Sequence, residues 1–103
     1  MIDFSTAITD IAGAPLKEGE TVATVRSVTV NALQALFADE QNLAGGEKVH
    51  RALLAQRIYD ATGPLALKAE DVALIKKLVG KAYGPLVVMR AWAVLDPEAV
   101  KQE

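Results

Sequence analysis

The chain contains no cysteine, only one histidine and few aromatic residues, 5% in all. Without cysteine there is no disulfide, no thiolate metal site and no cysteine nucleophile. That usage suits a reducing cytoplasm. A metal centre or catalytic dyad at the single histidine, His50, would need partners. Glu47 lies three residues before it and Asp60 is remote in sequence, so His50 reads as a surface helix residue. No Gly-rich phosphate loop is present; Lys17-Glu18-Gly19-Glu20 is a polar turn. No basic segment leads into an apolar one at the N-terminus, so no secretory signal is expected.

Charge of one sign is also lacking. The formal net charge is −2. Residues 1–45 carry two basic and six acidic groups, and residues 46–103 carry nine basic and seven acidic groups. Such a balance falls short of the basic stripe of a nucleic-acid binder. Long apolar runs are missing too. The most apolar stretch, Leu86 to Leu95, is interrupted by Arg90 and is about half the length needed to cross a bilayer. No membrane association is expected.

What is present is a 103-residue chain that is 51% apolar, enough for one core and one domain, 1–103. The reading is a mainly α fold of about four helices with a short N-terminal β-hairpin. The hairpin region covers 1–20, the helical core 24–95 and a mobile polar tail 97–103. Ile2 and Phe4 alternate with Asp3 and Ser5, and Ile8–Ile11 and Pro15–Lys17 flank Ala12-Gly13-Ala14. Gly13 can take the positive φ of a turn, which predicts a hairpin there.

Thr21 to Val30 fits two patterns. Its Val and Thr residues favour a strand, while Val25, Val28, Ala32, Ala35 and Leu36 trace a helical face. A helix from about Thr24 to Ala38 is expected, with Thr24 or Thr21 as N-cap. Asp39 to Asn42 stops it. A second helix runs from about Glu47 to Ala61, with Glu47 placed to pair with Arg51. Leu54, Ile58 and Ala61 form its apolar row, with Val49 and Leu53 beside it; Gly63 offers a left-handed cap before Pro64. Leu65-Ala66-Leu67 is a connector tucked against the core or a brief strand. Ala69 to Tyr83 is clearly amphipathic, through Val72, Ile75, Val79 and Ala82, with Leu74 and Leu78 widening the stripe. Gly80 inside it costs about 1 kcal/mol against alanine and suggests a close helix–helix approach or a frayed last turn.

Gly84-Pro85 then starts a helix whose only charge is Arg90. A helix with no polar face belongs in a core. The expectation is that this element is central, with Trp92 and Met89 inside it; a short buried strand over Leu86–Val88 is the alternative. Arg90 needs a partner or a route to the surface. Asp96-Pro97 ends the helix.

Functional signals are few. No pair of carboxylates among Glu18, Glu20, Asp39 and Glu40 is held on a rigid element for acid–base work. Lys76, Lys77 and Lys81 on one helix, and Lys48, Arg51 and Arg57 on another, are placed to meet phosphates or an acidic protein. The Ala61–Lys68 link is too long for the usual helix-turn-helix, and no aromatics interleave with the basic residues to stack bases. No catalytic, cofactor-binding or metal-binding residues are assigned. The face expected to bind a partner joins Lys48, Arg51, Lys77 and Lys81.

Several stretches carry a resemblance: Gly46-Glu47-Lys48-Val49, Leu54-Ala55-Gln56-Arg57-Ile58, Leu67 to Val72, Ile75 to Lys81 and Tyr83 to Val88. Together they resemble a family of small, mostly uncharacterised proteins encoded in bacteriophage and prophage genomes. The resemblance spans about the last two thirds of the chain and extends to the turn at Gly13. It implies a phage-derived cytoplasmic protein of the bacterial host cell, with a virion-assembly or host-interaction role. It carries no catalytic residues and no cofactor. The expected activity is non-enzymatic binding of a phage or host protein, compatible with a homodimer. A nucleic-acid-associated regulator is the alternative, although no specific nucleic acid is expected.

Overall fold

A computed structural model describes residues 1–101. It has a mainly α fold: an N-terminal ribbon with a short β-hairpin, then four helices. The hairpin strands are β1, Lys17–Glu18, and β2, Thr21–Val22, paired antiparallel across Gly19, whose φ is +65°. The turn expected at Gly13 is also formed. Gly13 has φ +92°, and Thr9 pairs with Pro15 across it. The two turns fold the ribbon back on itself. Ile8 N–H donates to Ala23 O, Ala23 N–H to Leu16 O and Leu16 N–H to Ile8 O, at 2.8–2.9 Å. Ile2 pairs with Leu65 through two bonds of 2.9 Å, so the Leu65–Leu67 connector is tied to the N-terminus.

Helix α1 spans Val25–Gln34. Thr24 caps it in a capping box with Ser27, as its side-chain chemistry allows. Its first two N–H groups, on Val25 and Arg26, donate to Thr6 O and Phe4 O of the ribbon. With Ser27 N–H on the Thr24 hydroxyl, the first three N–H groups of α1 are satisfied within the protein, which lets the helix enter the core. Val25, Val28, Thr29, Ala32 and Leu33 are buried. The chain leaves helical geometry at Ala35, earlier than the sequence pattern suggests, and makes a 3-10 turn at Ala38–Glu40. That departure turns Phe37 toward the core and carries Asp39 and Glu40 to basic partners described below.

Helix α2 spans Gly45–Asp60. Leu54, Ala55 and Ile58 are buried, together with Arg51. Val49 and Leu53, expected beside the core row, are instead 57% and 66% exposed. Gly63 is not left-handed; the α2 carbonyls at Ile58 and Ala61 are capped by the Arg26 guanidinium at 3.2 and 2.9 Å. Helix α3 spans Ala69–Ala82, with Ile75, Leu78 and Val79 buried. Glu70 and Asp71 occupy its first turn and Lys81 its last, complementing the dipole.

Helix α4 spans Pro85–Leu95. It is not central. Only Ala91 and Leu95 are buried along it, and Met89 is 37% exposed. The central helix is α1, which packs against α2, α3 and α4. Arg90 supplies one physical reason. Its guanidinium donates to Thr9 O at 3.2 Å and Asp10 O at 2.9 Å, a half-buried position that keeps one flank of α4 at the surface. Trp92 lies half-buried across α3: its Nε1–H donates to Lys76 O at 3.2 Å, and Lys76 Nζ sits 4.7 Å from the ring centroid. Gly80 faces this ring, and a Cβ there would stand 3.9 Å from it, an ordinary contact. A 3-10 turn at Pro97–Val100 follows. Gln102 and Glu103, within the tail expected to be mobile, lie outside the described residues.

Candidate functional site

Between α1 and α2 the surface carries three adjoining depressions that share residues and run together as a groove. Near the α1 C-terminus Leu33, Gln34, Ala35 and Leu36 face Leu43, Lys48, Arg51 and Ala52 around about 320 Å³. The middle, about 370 Å³, lies between Val30 and Gln34 on one side and Ala52, Ala55, Gln56 and Tyr59 on the other. At the α1 N-terminus Thr24, Arg26, Ser27 and Asn31 continue it with Val30 and Tyr59, around about 210 Å³. The α2 positions follow helical spacing, so one face of that helix forms a wall. Ala52 and Ala55 keep the floor open. Leu36 and Tyr59 stand on the rim, 60% and 65% exposed. No aspartate or glutamate lines any part of the groove.

The four basic residues expected to form one face are distributed around the 3-10 turn at Ala38–Glu40. Arg51 is 5% exposed and grips Glu40 through two bonds, Nη1–Oε1 at 2.9 Å and Nη2–Oε2 at 2.6 Å. Arg51, expected to pair with Glu47, thus takes Glu40 instead. The hydrogen bonds from Arg51 pull the Glu40 carboxyl down to about 2, against the opposing effect of its burial. Lys81 Nζ lies 2.7 Å from Asp39 and 4.9 Å from the Phe37 ring centroid. Asp39 is held below its ordinary pKa by that hydrogen bond. Lys77 and Lys81 line a broad, polar depression of about 580 Å³ beside the turn. Lys48 and Lys77 are exposed and have no ion-pair partner among the described residues.

All four arginines are engaged: Arg26 on the α2 carbonyls, Arg51 on Glu40, Arg57 on Ala66 O at 3.2 Å and Arg90 on the ribbon. Guanidinium forks are the usual readers of guanine edges and phosphates.

His50 has a partner that its local sequence did not reveal. Its Nε2 lies 2.9 Å from Asp71 Oδ1, in the first turn of α3. Asp71 is 8% exposed, while the His50 side chain is 51% exposed. Leu53, Leu54 and Arg57 complete a small recess of about 170 Å³ around the pair. No serine or threonine lines it, so the pair has no hydroxyl to activate there. It ties α2 to the start of α3, across 21 residues that hide it from periodicity. Among the described residues no group of three or more histidines and carboxylates could hold a metal ion. Among the described residues no helix is long and apolar enough to cross a membrane.

Protein-family models, curated proteins and solved structures yield no match to this chain.

Proposed function

We propose that this chain is a non-enzymatic protein-interaction domain that seats an apolar segment of a partner in the α1–α2 groove. The observation that carries the reading is the groove itself: open, floored by Val30, Ala52 and Ala55, rimmed by exposed Leu36 and Tyr59, and free of acidic groups. Clefts between helices of a small domain are common sites for an inserted apolar segment. Gln34 and Gln56 line it with their amide nitrogens held by Val30 O and the Asp60 carboxylate, which leaves their carbonyl oxygens to accept from a partner's backbone. Lys48, at one end, favours an acidic partner and would affect association rate more than final affinity. Lys77 and Lys81 extend the basic character toward α3, while Arg51 acts from beneath by holding Glu40.

The resemblance to small phage-encoded proteins supports a setting in the bacterial cytoplasm and a virion-assembly or host-interaction role. The nucleic-acid alternative has less support, because the arginines that would read bases or phosphates are occupied within the fold.

The test places a photoreactive benzoylphenylalanine at Gln56, on the groove rim, and at Glu70, on α3 away from the groove. Irradiation in bacterial cells should give an adduct at position 56 that Ala52→Arg removes, with no matching adduct at position 70. Equal adducts at both positions, or one indifferent to Ala52→Arg, would remove the groove from consideration. Catalytic turnover in a substrate screen would end the non-enzymatic reading.

A further inference from the structure

We propose that the segment filling the α1–α2 groove is the Ile11 turn of a second copy of this chain, an inference that rests on the groove reading above. The first argument is charge. Arg26 and Lys48 line the groove as cations with no acid among the lining residues, Arg51 being matched to Glu40 beneath it, and Lys48 is unpaired among the described residues. The N-terminal ribbon is its complement: residues 1–22 hold Asp3, Asp10, Glu18 and Glu20 against Lys17 alone, a net charge of −3. Glu18 and Glu20 are exposed at the Gly19 turn, the far end of the segment that leads away from the Ile11 turn, and add to the negative charge of the ribbon as a whole.

The second argument is shape. Ile11 is 79% exposed at the tip of a braced turn. Asp10 N–H donates to Ala14 O at 2.8 Å, Gly13 N–H to Asp10 O at 3.0 Å, and Ala14 N–H to the Asp10 carboxylate at 3.0 Å. Such a turn presents a branched aliphatic side chain with little backbone freedom left to lose on docking. The middle of the groove, over Val30, Ala52 and Ala55, is the apolar recess it would enter.

The third argument is placement. Arg90 of α4 holds the turn at Thr9 and Asp10, and α4 packs on α3 and α1 but not on α2. Turn and groove thus sit on different flanks of the molecule. A copy that donates its turn keeps its own groove free for another, so the contact is heterologous and can repeat.

Sedimentation of the intact chain from micromolar to millimolar concentration tests this. Species larger than a dimer should accumulate with concentration and recede as salt is raised. Ile11→Asp and Ala52→Arg should each raise the concentration needed for assembly by about tenfold or more. Mixed in equal amounts, they should recover dimers and nothing larger, because only one intact turn and one intact groove remain per couple. Leu36→Asp, on the exposed rim outside the helices, replaces Ala52→Arg if circular dichroism shows that variant unfolded. A wild-type monomer at millimolar concentration overturns the second-copy proposal, as do variants that assemble like wild type or a mixture that yields no dimer. A monomer that still gives the Ala52-dependent adduct at position 56 with a foreign protein overturns this proposal alone. Loss of that adduct as well defeats the groove reading.

Discussion

Helices α1 and α4 invert the usual relation between composition and position. α1 contains Thr29, Arg26, Ser27, Asn31 and Gln34, yet it sits at the centre. α4 has one charge and, apart from the Trp92 indole N–H, no other polar side-chain group, yet it lies at the edge. The difference is in what holds their ends and flanks. The α1 N-terminus is closed by Thr24, Phe4 and Thr6, and Arg26 reaches across to close the α2 C-terminus. Gly84 gives α4 no side-chain cap, and Arg90 ties it to a surface turn. Apolar content sets how much a helix gains by burial; satisfied polar groups decide whether its backbone can be surrounded.

The most severe way to break this contrast is a matched pair of truncations. Leu33→Ala in α1 removes a side chain that is 2% exposed and should cost about 3 kcal/mol. Met89→Ala in α4, 37% exposed at the start, should cost less than about 1 kcal/mol. Denaturant midpoints at constant slope measure both. A larger loss at Met89 than at Leu33 would reverse the assignment of the centre.

Next is the ion pair where the chain leaves α1. Glu40→Ala leaves Arg51 without its partner and should cost about 3 kcal/mol at neutral pH, the low end for a buried pair because Arg51 borders an open depression. The Glu40 carboxyl titrates near 4.5 when free and near 2 in the fold. A depressed carboxyl stabilises fully above its free value and loses that contribution as pH falls through its folded value. The gap between wild type and Glu40→Ala should therefore be constant above about pH 5 and narrow steadily toward pH 2. A gap independent of pH over that window would show that packing, and not charge, holds the turn.

The smallest effect sharpens the contrast from the other side. Thr29 is fully buried in α1 and its hydroxyl has no hydrogen-bond partner. Thr29→Val should stabilise the fold by about 1 kcal/mol, read as a rise in melting temperature. A loss instead would mean that the hydroxyl has a partner in solution. Unlike Thr24, Arg26 and Ser27, Thr29 contributes no tie to a neighbour.

Local signals located much of this fold. The amphipathic stripe through Ile75 and Val79, the Gly84-Pro85 break and the Thr24 cap each act within a few residues, and each element they mark is present. The misreadings come from partners far apart in sequence. Glu40 with Arg51 and Asp39 with Lys81 end α1 early, and neither pair has a periodic signature. On α2, Val49 and Leu53 compete with Leu54 and Ile58 as an inward row, and the buried Arg51 lies on the side that wins. The groove was not legible, because its floor depends on Ala52 and Ala55 facing α1. Of its lining, the sequence marks only Lys48 and Arg51 for partner binding, and only for their charge.

The closed circuit of bonds among Ile8, Leu16 and Ala23 has a consequence for recognition. Each residue gives one backbone bond to the next and takes one from the last. At that level the ribbon has no border strand, so it cannot be lengthened sideways by a visiting peptide. Nor can it peel from one end, since breaking one bond leaves the other two to hold all three segments together. At the level of Ile8, Leu16 and Ala23, a partner must therefore read protruding side chains and not the main chain.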